Sequence, residues 1–322
     1  MSVAAGVLGR KRAWSAFAAR ILIIGGIFAY LVVATLTDWR AVREKIAGAD
    51  MAFVGAAVVF QVLSMLSLAL LWRELMRALG GPLGFGAAVR MQWLGTLGKY
   101  IPGKIMPTVG KIYLGRFEGV DRGVVALACG YEMLYCFAGS ALVVLMSVMF
   151  GTLGWMRYWA APAGGLCVLV TVLVHPRIMV RFVNWILRKF RYDEVHTAIS
   201  YPKSLLFAVG YMLPYILSGV SEFALVRAFH GIPNIYLVDM VGITTVSTSL
   251  GFVALFAPGG LGVRDGLLTA GLRLLPSVSR HSAALVALAN RVMSVALDLG
   301  SGVVALALYR GVPRERDGAG PA

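Results

Sequence analysis

Apolar residues run along this chain in long blocks rather than in alternation. The blocks lie at residues 17–36, 51–71, 123–149, 158–175, 204–226, 237–257 and 283–309. Each is close to the roughly 20 apolar residues that carry an α-helix across a bilayer. They are apolar over whole helical turns and show no period of two, which excludes a β-barrel. The pattern predicts an all-α, polytopic integral membrane protein with about seven to eight transmembrane helices. A segment over 1–16 precedes the transmembrane domain at 17–309, and a short polar tail follows at 310–322. The first block is too long for a signal-peptide core and no clear small-residue cleavage site follows it, so it reads as a retained anchor helix.

Composition agrees. The chain of 322 residues is 59% hydrophobic and 14% charged. Soluble domains run near 45–50% apolar and about 25% charged. The three cysteines, Cys129, Cys136 and Cys167, all fall inside predicted helices, and the four histidines are isolated. Neither a disulfide framework nor a metal site follows from them, and no cofactor is expected.

The net charge of +15 sits in the segments between blocks, as the positive-inside rule requires. Nucleic acid is not expected as a partner, since no basic fold of the known binding types is visible. Residues 1–20 carry Arg10, Lys11, Arg12 and Arg20. Residues 73–122 carry eight Lys/Arg against three acids, and 176–203 carry six against two. Residues 37–50 balance three against three. The N-terminus and both basic stretches are therefore expected in the cytoplasm of an inner-membrane protein. Arg310, Arg314 and Arg316 favour the cytoplasm for the C-terminus as well. Seven full crossings would put it outside, and the sequence leaves that conflict open.

Two segments break the apolar pattern. Gly98–Lys111 reads GKYIPGKIMPTVGK, and Ala257–Gly266 reads APGGLGVRDG. Each centres on Pro-Gly, and each is followed by an apolar helix containing a charge. Glu132 lies 30 residues after Pro102, and Arg291 lies 33 after Pro258. Irregular backbone at membrane depth survives only where protein or a water-filled cavity satisfies its polar groups. Paired broken segments in corresponding halves point to a transporter's binding site. A half-helix N-terminus offers N–H groups to an anion, and Lys99, Lys104 and Lys111 add full charges. Two re-entrant half-helix segments in an internal repeat are therefore expected; ordinary loops are the rival.

Charges inside apolar helices cost about 2.5–3.5 kcal/mol each on insertion scales. Cys129, Glu132, Cys136, Gly139 and Ser140 share one helical face, as do Asn290, Arg291, Ser294, Asp298 and Gly302. Tyr211, Tyr215, Ser218 and Glu222 form a third stripe, with Pro214 able to bend that helix. Gly242–Ser249 adds hydroxyls to a fourth. These groups either hold helices together or line a polar path; Glu132 with Arg291, or Asp298 with Arg291, are candidate ion pairs. Residues 177–192 read as an amphipathic surface helix or a basic loop. No phosphate-binding loop, GxSxG elbow or HExxH helix is present.

The motif YIPGK at 100–104, with Gly110, Arg116, Gly119 and then Glu132, resembles the transmembrane-domain family of lysylphosphatidylglycerol synthases. APGGLGVRDG, with Asn290-Arg291 beyond it, is similar to that family's second signature. The resemblance runs from about residue 15 to 310. It implies a flippase-like domain; in bifunctional members this domain moves aminoacylated phosphatidylglycerol while a separate cytosolic domain attaches the amino acid. With no room for that domain here, the chain looks like the stand-alone members, some of which are associated with polyprenyl-linked sugars or hopanoid lipids. Two positions depart from the common pattern, Met133 after Glu132 and Asp265 after Arg264.

The expected function is translocation of an anionic or phosphate-bearing lipid, or a polyprenyl-linked one, between leaflets. Its expected contacts are Lys99, Pro102, Gly103, Lys104, Lys111 and Arg116 from the first motif. The second motif adds Pro258, Gly259, Gly260, Arg264 and Asp265. The helices contribute Glu132, Glu222, Asn290, Arg291 and Asp298. Membrane lipids are the expected partners, with a separate lipid-modifying enzyme or a second copy of the chain as further candidates. The alternatives are a scaffold subunit for a lipid-modifying enzyme, or an intramembrane aminoacyl- or glycosyltransferase.

Overall fold

A computed structural model describes residues 44, 47–100, 106–173, 175–189, 199–254, 260, 262–276 and 278–310. Among them every regular element is helical. The block at 17–36, the dipeptides Pro102-Gly103 and Pro258-Gly259, Lys104 and the tail after 310 lie outside the described residues.

Helix α1 (Met51–Ala78) starts where the Asp50 carboxylate accepts from the Ala52 N–H at 2.9 Å, an N-cap that satisfies one of the orphan donors of the first turn. It outruns its apolar block because Arg73, Glu74 and Arg77 are good helix formers. It ends before Gly80, whose φ of 82° suits a residue without Cβ. Helix α2 (Phe85–Leu97) and a 3-10 turn (Gly98–Tyr100) lead to the first motif, and α3 (Met106–Gly115) leaves it. Helix α4 (Arg122–Phe150) is capped by Asp121, which accepts from Val124 N–H at 3.0 Å.

After a 3-10 stretch (Gly154–Trp159) come α5 (Ala160–Leu173) and α6 (Pro176–Lys189). Helix α6 realises the amphipathic pattern as a helix, with Ile178, Phe182 and Trp185 exposed. The block at 204–226 forms two helices, α7 (Tyr201–Gly210) and α8 (Met212–Phe229), meeting at Tyr211. Pro214 accounts for the break: it has no N–H, and its ring collides with the carbonyl four residues back, that of Gly210. Helix α9 (Leu237–Val253) leads to the second motif, α10 (Val263–Leu272) leaves it, and α11 (Arg280–Arg310) closes the described chain.

Among the described residues, six stretches are long and apolar enough to cross a membrane: Met51–Ala78, Arg122–Phe150, Met156–Leu173, Tyr201–Phe229, Asn234–Val253 and Arg280–Leu308. This is an integral membrane protein. The expected block at 237–257 is helical to Val253 and starts earlier, with a 3-10 turn from Asn234.

The two largest of four packed regions among the described residues make up most of the interior. One gathers Trp72, Leu75, Tyr131, Tyr135, Phe207 and Tyr211 from α1, α4, α7 and the α7–α8 junction. The other gathers Val226, Met240, Ile243, Leu268, Leu272 and Ala287 from α8 to α11. In lipid, contacts of this kind gain from close packing and from polar links rather than from expelling water. One such link is Asp239, fully buried on α9, which accepts from the Thr152 and Leu153 N–H groups at 3.0 Å.

Candidate functional site

Beside the first packed region, against Leu68 and Cys136, lies a cavity of about 220 Å³. Its wall is drawn from α1, α2, α4, α8, α9, α10, α11 and the 3-10 turn after α2. Gln61, Ser64, Gln92, Trp93, Thr96, Tyr215, Ser218 and Thr248 supply neutral polar groups, and Lys99, Arg264 and Asp298 supply charge. Two cations against one carboxylate leave the wall electropositive, which favours an anion.

The charged wall is assembled from distant parts of the chain. Lys99 Nζ lies 2.6 Å from Asp298 Oδ2, and the Tyr100 hydroxyl donates to the same oxygen at 2.5 Å. Arg264 finds no ion-pair partner among the described residues. Its neighbour Asp265 is buried and accepts from the Gly262 N–H at 3.1 Å, within the first turn of α10. Gly260 and Gly262 hold φ of 70° and 81° there, a region that favours glycine. Asp265 also meets Arg291, whose Nη2 is 3.2 Å away.

A second charged group sits behind the wall. Lys111 Nζ is 2.6 Å from Glu132 Oε2, and Gln92 Nε2 donates to Glu132 Oε1 at 3.1 Å. The Lys111 ammonium also lies 4.0 Å from the centre of the Trp72 ring, a favourable cation–π geometry.

The expected residues thus separate into groups. Lys99, Arg264 and Asp298 line the cavity. Lys111, Asp265 and Arg291 are buried, and Glu132 part-buried, in ion pairs beside it. Glu222 is buried on α8 with Oε1 lacking a hydrogen-bond partner, and the charges that act on it are Arg264 and Asp265. Asn290 is buried, its Oδ1 accepting from the Ser294 hydroxyl at 3.3 Å. Gly260 is buried in the second motif, whereas Arg116 is exposed at the end of α3. Pro102, Gly103, Lys104, Pro258 and Gly259 lie outside the described residues.

The candidate pairings of Arg291 with Glu132 or Asp298 are not the ones formed. Helix α3 packs between α2 and α4 and brings Lys111 to Glu132, while α10 packs on α11 and brings Asp265 to Arg291. Asp298 is taken by Lys99, because α2 packs along α11. The wall residues Gln61, Ser64, Gln92, Trp93 and Thr96 were not singled out by the sequence reading. The pairs Gln61/Ser64 and Gln92/Thr96 do recur at helical spacing, which is the signal that would have found them.

The family described as "Lysylphosphatidylglycerol synthase TM region" matches residues 17–302. Comparison with curated proteins finds no match.

Proposed function

We propose that this chain, which belongs to the family of the lysylphosphatidylglycerol synthase TM region, moves an anionic, phosphate-bearing lipid between membrane leaflets. The observation that carries this reading is the electropositive polar cavity among the helices, with Lys99, Arg264 and Asp298 on its wall. Hydrocarbon has no use for such a cavity, and a charged headgroup crossing the bilayer needs one.

In this reading Asp298 holds the place of the headgroup anion. A phosphate oxygen entering beside Arg264 competes for the Lys99 ammonium, and Asp298 keeps its hydrogen bond from Tyr100. The exchange trades one charge-assisted contact for another, so the headgroup enters without leaving Lys99 unpaired. The lipid tail stays among the helices' apolar outer faces. The membrane potential, worth about 2.3 kcal/mol per charge per 100 mV, is one source of drive.

The architecture supports two re-entrant segments in an internal repeat. Helices α3 and α10 each have 10 residues, or about 15 Å at 1.5 Å per residue, half a typical hydrocarbon core of about 30 Å. The packing repeats in order: α1 on α2 and α8 on α9, α2 on α3 and α9 on α10, α3 on α4 and α10 on α11. The two units also interlock, α2 against α11 and α9 against α4. At each break a glycine admits the returning chain. A Cβ on Gly98 would meet Met106 C at 2.8 Å, and one on Gly251 would meet Arg264 Cβ at 2.8 Å.

The same reading places both termini in the cytoplasm. If α2 and α3 enter and leave on one side, and α9 and α10 likewise, the full crossings are α1, α4, α5, α7–α8 and α11, with the apolar block at 17–36 expected from its sequence to add one more. Six crossings return the chain to its starting side, in accord with Arg310, Arg314 and Arg316. A cytoplasm-dependent reporter fused after residue 322 is expected to be active; a reporter active only outside removes this topology.

The direct test is leaflet accessibility of labelled lipids in reconstituted vesicles. Phosphatidylglycerol, its lysyl derivative and a polyprenyl-phosphate sugar are compared, with wild type and the double variant Lys99→Gln/Arg264→Gln. Faster exchange of at least one lipid by wild type, lost in the variant, is expected. Folded wild-type protein that exchanges none of the three overturns translocation and shifts the reading to a scaffold for a lipid-modifying enzyme.

A further inference from the structure

The wall contains an acceptor whose orientation is forced. Gln92 is buried on α2 and lines the cavity. Its side-chain amide touches Glu132 Oε1 at 3.1 Å. A carboxylate bound to the Lys111 ammonium is an acceptor only, so the Gln92 NH₂ group must face it. The carbonyl oxygen Oε1 is thereby turned away from Glu132, and it has no hydrogen-bond donor. Trp72, Lys111 and Glu132 form a chain of contacts that holds this orientation from behind.

Three other neutral groups on the wall are already engaged, while Trp93 Nε1 and Thr248 Oγ1 have no partner among the described residues. The Ser64 hydroxyl donates to Pro214 O at 2.8 Å, Thr96 donates to Gln92 O at 2.7 Å, and Ser218 donates to Gln61 Oε1 at 3.2 Å. Asp298 Oδ2 is shared by Lys99 and Tyr100. Gln92 Oε1 is thus an uncommitted neutral acceptor on a wall that also carries two cations.

From this we infer that Gln92 is a specificity-determining residue, its side-chain carbonyl accepting a hydrogen bond from a headgroup hydroxyl while Lys99 and Arg264 hold the phosphate. The inference rests on the headgroup reading of the cavity. A neutral hydroxyl matches a neutral carbonyl acceptor, whereas an ammonium gains more from a carboxylate. A buried acceptor left unpaired is costly, and a site built to pair with a hydroxyl discriminates against the analogue that lacks it.

The test uses two lipids of equal charge and nearly equal size, phosphatidylglycerol and phosphatidylpropanol, which differ by two hydroxyls. Wild type in vesicles is expected to exchange phosphatidylglycerol about tenfold faster, the scale of one hydrogen bond. Gln92→Leu and the slimmer Gln92→Met are expected to lower phosphatidylglycerol exchange to the phosphatidylpropanol rate and to leave the latter within about twofold. Equal exchange of both lipids by wild type, or equal slowing of both in the variants, overturns the assignment.

Binding separates this inference from translocation. Short-chain forms of the same two lipids are added to detergent-purified protein and the rise in unfolding temperature is read. A larger rise with phosphatidylglycerol, lost in both variants, supports the role of Gln92 even if no lipid crosses the bilayer. An equal rise with both lipids in wild type, or no rise with either, removes it.

Discussion

Two lysine–carboxylate pairs stand within the same structure and are built for different ends. Lys111 and Glu132 are sealed, with side-chain exposures of 6% and 13%, and every contact is doubled: Glu132 has Lys111 and Gln92, while Lys111 has Glu132 and Trp72. Lys99 is 35% exposed, and its partner Asp298 is shared with Tyr100. The N–O distance is 2.6 Å in both. Distance alone therefore does not separate a structural pair from an exchangeable one. What separates them is whether a third group can reach the cation, and here only Lys99 lies on the cavity wall.

The comparison breaks if the sealed pair proves dispensable. Glu132→Leu leaves the Lys111 ammonium buried without its counter-charge, and a loss of about 3–5 kcal/mol is expected, read as poor recovery and a lower unfolding temperature in detergent. The double change Lys111→Met/Glu132→Leu is expected to regain most of that loss, because apolar replacement of a whole buried pair is often neutral. A double variant no better than the single one would mean that Lys111 has work beyond pairing. Lys99→Gln is expected to behave otherwise, costing less stability than Glu132→Leu because the Tyr100 hydroxyl still donates to Asp298, and losing tenfold or more in lipid exchange, a transport barrier higher by about 1.4 kcal/mol. Equal damage to stability by Lys99→Gln and Glu132→Leu would erase the distinction. At the bottom of the scale, Glu74→Gln removes the exposed contacts to Arg73 and Arg77 and is expected to change stability by no more than about 0.5 kcal/mol.

The apolar blocks of the sequence locate most of the helices because bilayer thickness imposes their length. The broken helix at Pro214 was legible for the same kind of reason, since proline acts locally. Of the charged residues on the cavity wall, Lys99, Arg264 and Asp298 were all visible as charges in or beside apolar blocks. Their partners were not. Lys111 lies 21 residues from Glu132, a distance that says nothing until α3 is folded back between α2 and α4. Gln92 and Gln61 escaped notice because an amide in an apolar helix resembles ordinary helix–helix adhesive. Only the cavity beside Gln92 and the forced direction of its carbonyl distinguish it.

The Tyr100–Asp298 hydrogen bond joins residues 198 positions apart. A ribosome delivers this chain from its N-terminus, so the first half of the wall is in the membrane long before α11 exists. Until α11 arrives, Lys99 has no counter-charge from that helix and the cavity has no far side. Assembly and competence are thus tied to the same event. A half-made chain has no finished cavity, and α11, the last of the described helices, is the one that completes it.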